Sequence, residues 1–240
     1  MTTVIGAVLF FTLNTRNAAR PEALAALASD QVVKVARASE QDWYIFTPTK
    51  QTPTTGFILY PGGFVDPVAY APIARELAAQ GYLIVLNPMP LNLAVFGIES
   101  ANDIIAAFPK ITAWGIGGHS LGGAMAAEYV KGNADVIDGL ALWAAYPAEN
   151  SDLSDLSLEV VSIYGDADGV ASVADVEGGA QRLPASAVFV PIPGGNHTQF
   201  GRYGEGLQRG DNPAGISADT QQRIIVETTA HMLESIAAGG

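Results

Sequence analysis

Short apolar runs that end in glycine or proline alternate along this chain with segments of helical periodicity, and few folds accept that alternation. The runs "GFILYPGG" (56–63), "YLIVLNP" (82–88), "ITAWGIGG" (111–118), "GLALWAAYP" (139–147), "LEVVSIYG" (158–165) and "AVFVPIP" (187–193) are nearly continuous in apolar character. Strands covered on both faces read this way. Between them, residues 67–81 repeat at helical spacing and stop at Gly81, and 94–108, 120–132, 171–183 and 217–236 read as helices. Ser217 is the expected N-cap of the last. Ahead of all these, "VVKVARA" (32–38) and "WYIFTPT" (43–49) are expected to pair as an antiparallel hairpin. The order implies an α/β fold, a mostly parallel central sheet of about eight strands with helices on both faces. No repeat or linker interrupts it, so 32–240 is expected to be one domain and 1–31 an N-terminal segment.

With 240 residues, about half of them apolar, the chain can bury a substantial core. Its 24 acidic and 12 basic residues leave a net charge of −12, which argues against nucleic acid and anionic membrane surfaces as partners. The absence of cysteine excludes disulfides, thiolate metal sites and a cysteine nucleophile. "VIGAVLFFTL" (4–13) is too short to span a bilayer and lacks a cationic start and a cleavage site. Two readings stay open for it, a remnant of a longer anchor or export signal, or a helix packed on a soluble domain.

The most demanding motif is "GIGGHSLGG" (115–123), where a buried strand turns directly into a helix around Ser120. A turn that sharp strains the residue at its apex and leaves no room for side chains two positions away, where Gly118 and Gly122 stand. That is a nucleophile elbow, with the Leu121 N–H placed to meet an oxyanion. A dinucleotide fingerprint would need a glycine where Ser120 stands, and a phosphate loop would need a following Lys. A Gly-rich turn with no chemistry is the remaining reading.

A serine nucleophile requires a base, and the base requires a carboxylate to orient it. Of the two histidines after Ser120, His231 lies within the last helix and His197 in the Gly-rich loop "PIPGGNHTQFG", so His197 is the expected base. His119, beside the nucleophile, is expected to support it. The acid should follow the strand ending in "IYGDADGV", and Asp168 is preferred to Asp166 because it lies farther past the strand end. As a calcium loop this stretch fails, since Val170 takes a ligand position and the closing Glu is misplaced. The second oxyanion N–H should come from "YPGGFVDP", at Gly63 or otherwise Phe64.

Taken together, Tyr60–Pro67, Pro90–Ala94, Gly118–Gly123 and Gly194–Gly201 give Y-P-G-G-x-V-D-P, P-L-N-L-A, G-H-S-L-G-G and G-G-N-H-x-Q-F-G. On these motifs the chain resembles the α/β-hydrolase superfamily over residues 32–237, and within it a small bacterial group loosely related to dienelactone hydrolases. The resemblance implies the triad Ser120, Asp168 and His197 and no cofactor. Dienelactone hydrolases use a cysteine nucleophile, which this chain lacks, so their substrate does not carry over.

About ten residues (148–157) are available where many relatives insert a cap, so no cap domain is expected, and 198–216 is expected at the rim instead. Phe64, Met89, Tyr146 and Phe200 are the candidate lining of a substrate pocket, with packing in the core the alternative for each. The expected activity is hydrolysis of small to medium carboxylic esters through an acyl-enzyme. The same triad also serves an acyltransferase or a peptidase, and the fold itself serves non-catalytic binding proteins. Oligomeric state is not legible in the sequence.

Overall fold

The computed structural model describes residues 17–239; the apolar run 4–13 lies outside the described residues. Eight strands form one sheet: β1 (Val33–Arg37), β2 (Tyr44–Pro48), β3 (Thr55–Tyr60), β4 (Leu83–Leu86), β5 (Ala113–His119), β6 (Gly139–Trp143), β7 (Glu159–Gly165) and β8 (Val188–Ile192). Their order is β1-β2-β4-β3-β5-β6-β7-β8. The first two strands make the antiparallel hairpin, β2 runs antiparallel to β4, and every pair from β4 to β8 is parallel. The helices are α1 (Pro21–Ala25), α2 (Ala71–Ala79), α3 (Ala101–Ala107), α4 (Leu121–Gly132), α5 (Val173–Gly178) and α6 (Ala218–Gly239). None in the described residues is long and apolar enough to cross a membrane.

Because successive side chains in a strand point to opposite faces, each central strand feeds two cores. Phe57 and Leu59 of β3, Ile84 and Leu86 of β4, and Trp143 of β6 pack with α1, α2, α5 and α6 on one face. Ile58 and Tyr60, Val85, and Leu140 and Leu142 pack with α3 and α4 on the other. Every residue of β3, β5 and β6 is buried, which is why those runs carry no polar alternation. Each large apolar side chain so buried contributes roughly 1.5–3 kcal/mol. The edge strands β1 and β8 are mostly exposed or half-buried, and β8 accommodates Pro191 because no further strand needs its N–H.

Three expected helices break where the backbone requires it. The segment 67–81 opens as a 3₁₀ turn (Pro67–Tyr70) before α2, since Pro72 has no N–H to continue the ladder. The left-handed φ of Gly81, 111°, ends it. Only Ala101–Ala107 of the expected 94–108 helix is α-helical, preceded by two 3₁₀ turns that meet at Gly97. There the Ser100 hydroxyl donates to the Gly97 carbonyl and accepts from Asn87. A capping box of Ser172 and Asp175 starts α5, which ends at Gly178, ahead of a 3₁₀ turn Ala180–Arg182. For α6, Ser217 Oγ accepts the Thr220 N–H, as an N-cap does.

The described residues before β1 lie against the same body. Ala23 of α1 is fully buried, Arg20 N–H donates to the Arg202 carbonyl, and Ala19 bridges Tyr203. Between β6 and β7, residues 144–158 contain no helix, and the described residues form no additional domain.

Candidate active site

Ser120 is the single residue between β5 and α4, and its backbone is left-handed, with φ 53° and ψ −122°. A non-glycine residue held there stores on the order of 1–3 kcal/mol of strain. Its surroundings fix it. The Ser120 N–H donates to the Trp143 carbonyl at 2.9 Å, and the Ser120 carbonyl accepts from Ala124 at 3.1 Å. A Cβ at Gly118 would lie 2.4 Å from the Tyr60 carbonyl oxygen, and one at Gly122 would lie 2.3 Å from the same atom. Strand β3 and helix α4 therefore approach as closely as main chain allows. Ser120 remains partly exposed.

Past the end of β7 the two acidic candidates separate. Asp166 is exposed and accepts the Gly194 N–H at 2.6 Å, closing a turn between the ends of β7 and β8. Asp168 is buried; its Oδ1 accepts the Val170 and Ala171 N–H groups, each at 2.7 Å, and its Oδ2 lies 2.8 Å from His197 Nδ1. A carboxylate facing Nδ1 assigns the ring proton to that nitrogen, leaving Nε2 as an acceptor. His197 Nε2 is buried and has no hydrogen-bond partner. His231 is exposed on α6 beside Glu234, far from such an arrangement in character.

His119 lies under the pair. It is fully buried, its ring centroid is 4.4 Å from that of His197, and it stacks on Phe200 at 5.4 Å with an interplanar angle of 6°. Burial first, and then the adjacent His197, holds its pKa well below the ordinary histidine value, so the ring is neutral. His119 Nδ1 is 2.9 Å from Tyr70 Oη, which also accepts the Gly62 N–H at 3.0 Å. Burial pushes the Tyr70 phenol pKa upward, so it keeps its proton and donates it to Nδ1. One phenol thus joins the strand before Ser120 to the loop that precedes Gly63.

In that loop the two oxyanion candidates are distinguished. Phe64, with φ 59°, donates its N–H to the Asn92 carbonyl at 2.7 Å and has none to offer a substrate. The Gly63 N–H has no acceptor among the described residues. A Cβ on Gly63 would be 3.3 Å from Leu121 Cδ2, so Gly63 lies against the residue whose own N–H opens α4.

Burial divides the two readings of the candidate pocket residues. Met89 is buried against Gly97, with its sulfur 2.8 Å from where a Cβ would stand there, and Phe200 is fully buried beneath His119. Both are core. Their apolar character fitted either role, and burial decides between them. Phe64 and Tyr146 are half-buried and remain at the surface. Leu91, Val95 and Phe96 were not anticipated; they are exposed in the segment whose Asn92 carbonyl holds Phe64.

Also unanticipated is Asp211, whose carboxylate accepts N–H groups from Gly169, His197 and Thr198. Gln221 holds Asn196 in both directions, accepting its N–H at 3.0 Å and donating to its carbonyl at 2.7 Å. No spacing rule marks either residue.

Comparison with known proteins agrees with this architecture. The sequence pattern of the Alpha/beta hydrolase family matches residues 56–223. A dienelactone hydrolase from Anabaena variabilis superposes with a TM-score of 0.65 at 14% identity, covering 86% of this chain and 99% of that one. A predicted CIB-like hydrolase from Thermoplasma acidophilum gives 0.63 at 14% identity, covering 84% and 100%. At these identities the likeness is one of fold. Curated protein sequences give no match.

Proposed function

The chain belongs to the α/β hydrolase family, and on that premise we propose that it is a serine hydrolase of small to medium carboxylic esters. The observation that carries the reading is the Asp168–His197 pair. One imidazole nitrogen is bound to a buried carboxylate at 2.8 Å, and the other is buried without a partner beside the elbow that presents Ser120. A base that is oriented and unspent has one use here, to take the serine proton.

In this mechanism Ser120 Oγ attacks the ester carbonyl carbon as its proton passes to His197 Nε2. Asp168 stabilises the imidazolium, and the N–H groups of Gly63 and Leu121 receive the oxyanion. Collapse expels the alcohol, which takes the proton from His197, and leaves an acyl-enzyme. Water then attacks the acyl carbon, again losing a proton to His197, and the acid departs as Ser120 regains it. The substrate range follows from cover: among the described residues no added domain overlies the site, so little of a long acyl chain would be buried, at roughly 0.8 kcal/mol per methylene.

A series of p-nitrophenyl esters of rising acyl length, run on the wild type and Ser120→Ala, tests this. The optimum should fall at short to medium chains. Ser120→Ala should fold and lose turnover by about 10⁶-fold. Hydrolysis surviving in the pure variant, or a wild type inert to every ester and to a fluorophosphonate probe, would overturn the reading.

A further inference from the structure

Five donors converge on the carboxylate of Asp211. Its Oδ1 accepts the N–H groups of Gly169 (3.2 Å), His197 (3.2 Å) and Asn212 (2.9 Å), and its Oδ2 accepts the Thr198 N–H (2.7 Å) and hydroxyl (2.6 Å). Gly169 adjoins Asp168, and Thr198 adjoins His197. A single side chain, from a third stretch of chain, therefore ties the loop of the acid to the loop of the base. The partners are all donors, which suits an acceptor-only carboxylate; an amide in its place would turn an N–H against one of them. Bonds from N–H groups to a carboxylate are also the stronger kind.

We propose that Asp211 is a positioning residue that sets the Asp168–His197 geometry through these two loops, an inference that rests on Asp168 and His197 being the catalytic acid and base. His197 and Asp168 are both buried, and the 2.8 Å bond between their side chains depends on where their backbones stand. Asp211 fixes both backbones at once. Thr198 Oγ1 in turn accepts the Gln208 N–H at 2.9 Å, and Asn196 Nδ2 donates to the Asn212 carbonyl at 2.7 Å, so the rim segment and the base loop are bound as one piece. A staple that served folding alone would have no reason to grip the acid loop and the base loop together.

The test uses the full chain and a p-nitrophenyl ester that the wild type turns over and Ser120→Ala does not. Asp211→Asn is expected to lower kcat about 10- to 100-fold, the scale of a small misplacement of catalytic groups, with KM nearly unchanged. The low-field proton NMR signal of the His197–Asp168 hydrogen bond should shift or broaden with it. Asp219→Asn removes an exposed carboxylate of α6 that pairs with Arg202, and it should leave kcat and the signal as they are. Should Asp211→Asn fail to fold, Thr198→Val decides, deleting one donor at almost constant volume with an expected fall in kcat of about 3- to 10-fold. A lower melting temperature with unchanged kcat and proton signal overturns the inference alone, because Ser120-dependent hydrolysis is then intact. Loss of any Ser120 dependence in the wild type overturns the underlying reading and this one with it.

Discussion

On the side of the proposed nucleophile, Ser120 is held by main chain, between the Trp143 carbonyl and the first turn of α4, with glycines where β3 and α4 meet. On the side of the proposed base, His197 is held by side chains, with Asp168 on its ring, Asp211 on its backbone and Gln221 on its neighbour Asn196. The first arrangement is steric and local, and it tolerates almost no intermediate state. The second is polar and drawn from distant parts of the chain, so it loosens by degrees. Substitutions on the base side should therefore cost rate, and side chains added at the elbow glycines 118 and 122 should cost the fold.

Among the substitutions that bear on this contrast, the largest expected effect is at Asp168. Asp168→Asn keeps the shape but turns an amide N–H toward His197 Nδ1, favouring the tautomer with its proton on Nε2, and kcat should fall by about 10⁴-fold with the fold intact. Asp166→Asn touches only a solvent-exposed turn and should be mild. Steady-state kinetics and melting curves on the two variants check this, and the reverse ranking would dismantle the base-side account.

Next comes Gly122→Ala. Its Cβ would stand 2.3 Å from a main-chain oxygen, and the shift needed to clear it should cost at least the roughly 1–3 kcal/mol of ordinary overpacking. Urea unfolding measures the loss. Wild-type stability in this variant would erase the contrast between the halves.

The smallest effect concerns pH. His119 is buried with its pKa held well below the ordinary 6.5. The unfolded chain takes up a proton at that group near its ordinary value and the folded chain does not, so stability is complete above that value and falls as pH drops through it. The slope reaches at most about 1.4 kcal/mol per pH unit for one group. Urea midpoints at about pH 7.5 and about pH 5.5 report it, and His119→Asn should flatten the difference. Equal slopes in both proteins would remove His119 as the source.

What could be read from the sequence divides along the same line. Strands β3 to β7 stand where apolar runs end in glycine or proline, because burial on both faces leaves that mark locally. Ser120 was legible because Gly118 and Gly122 record a steric demand within a few residues of it. Helix continuity was less so: Pro72, Gly97 and Gly178 break runs whose periodicity alone suggested more. Asp211 was invisible, since "RGDNP" reads as any exposed turn and its partners lie up to 42 residues away. Met89 and Phe200 leave two readings open in the sequence, as an apolar residue near a site and one beneath it look alike until burial is known.

The elbow has one more consequence, in the language of genetics. What the chain preserves at positions 118 and 122 is vacancy, and the atom facing both is the Tyr60 carbonyl oxygen. Had the obstacle been a side chain, a second mutation could trim it and restore the first. A main-chain oxygen is present whichever residue occupies position 60. Lesions at these two glycines should therefore revert only by restoring the glycine itself, and a search for intragenic suppressors should return true revertants and nothing else.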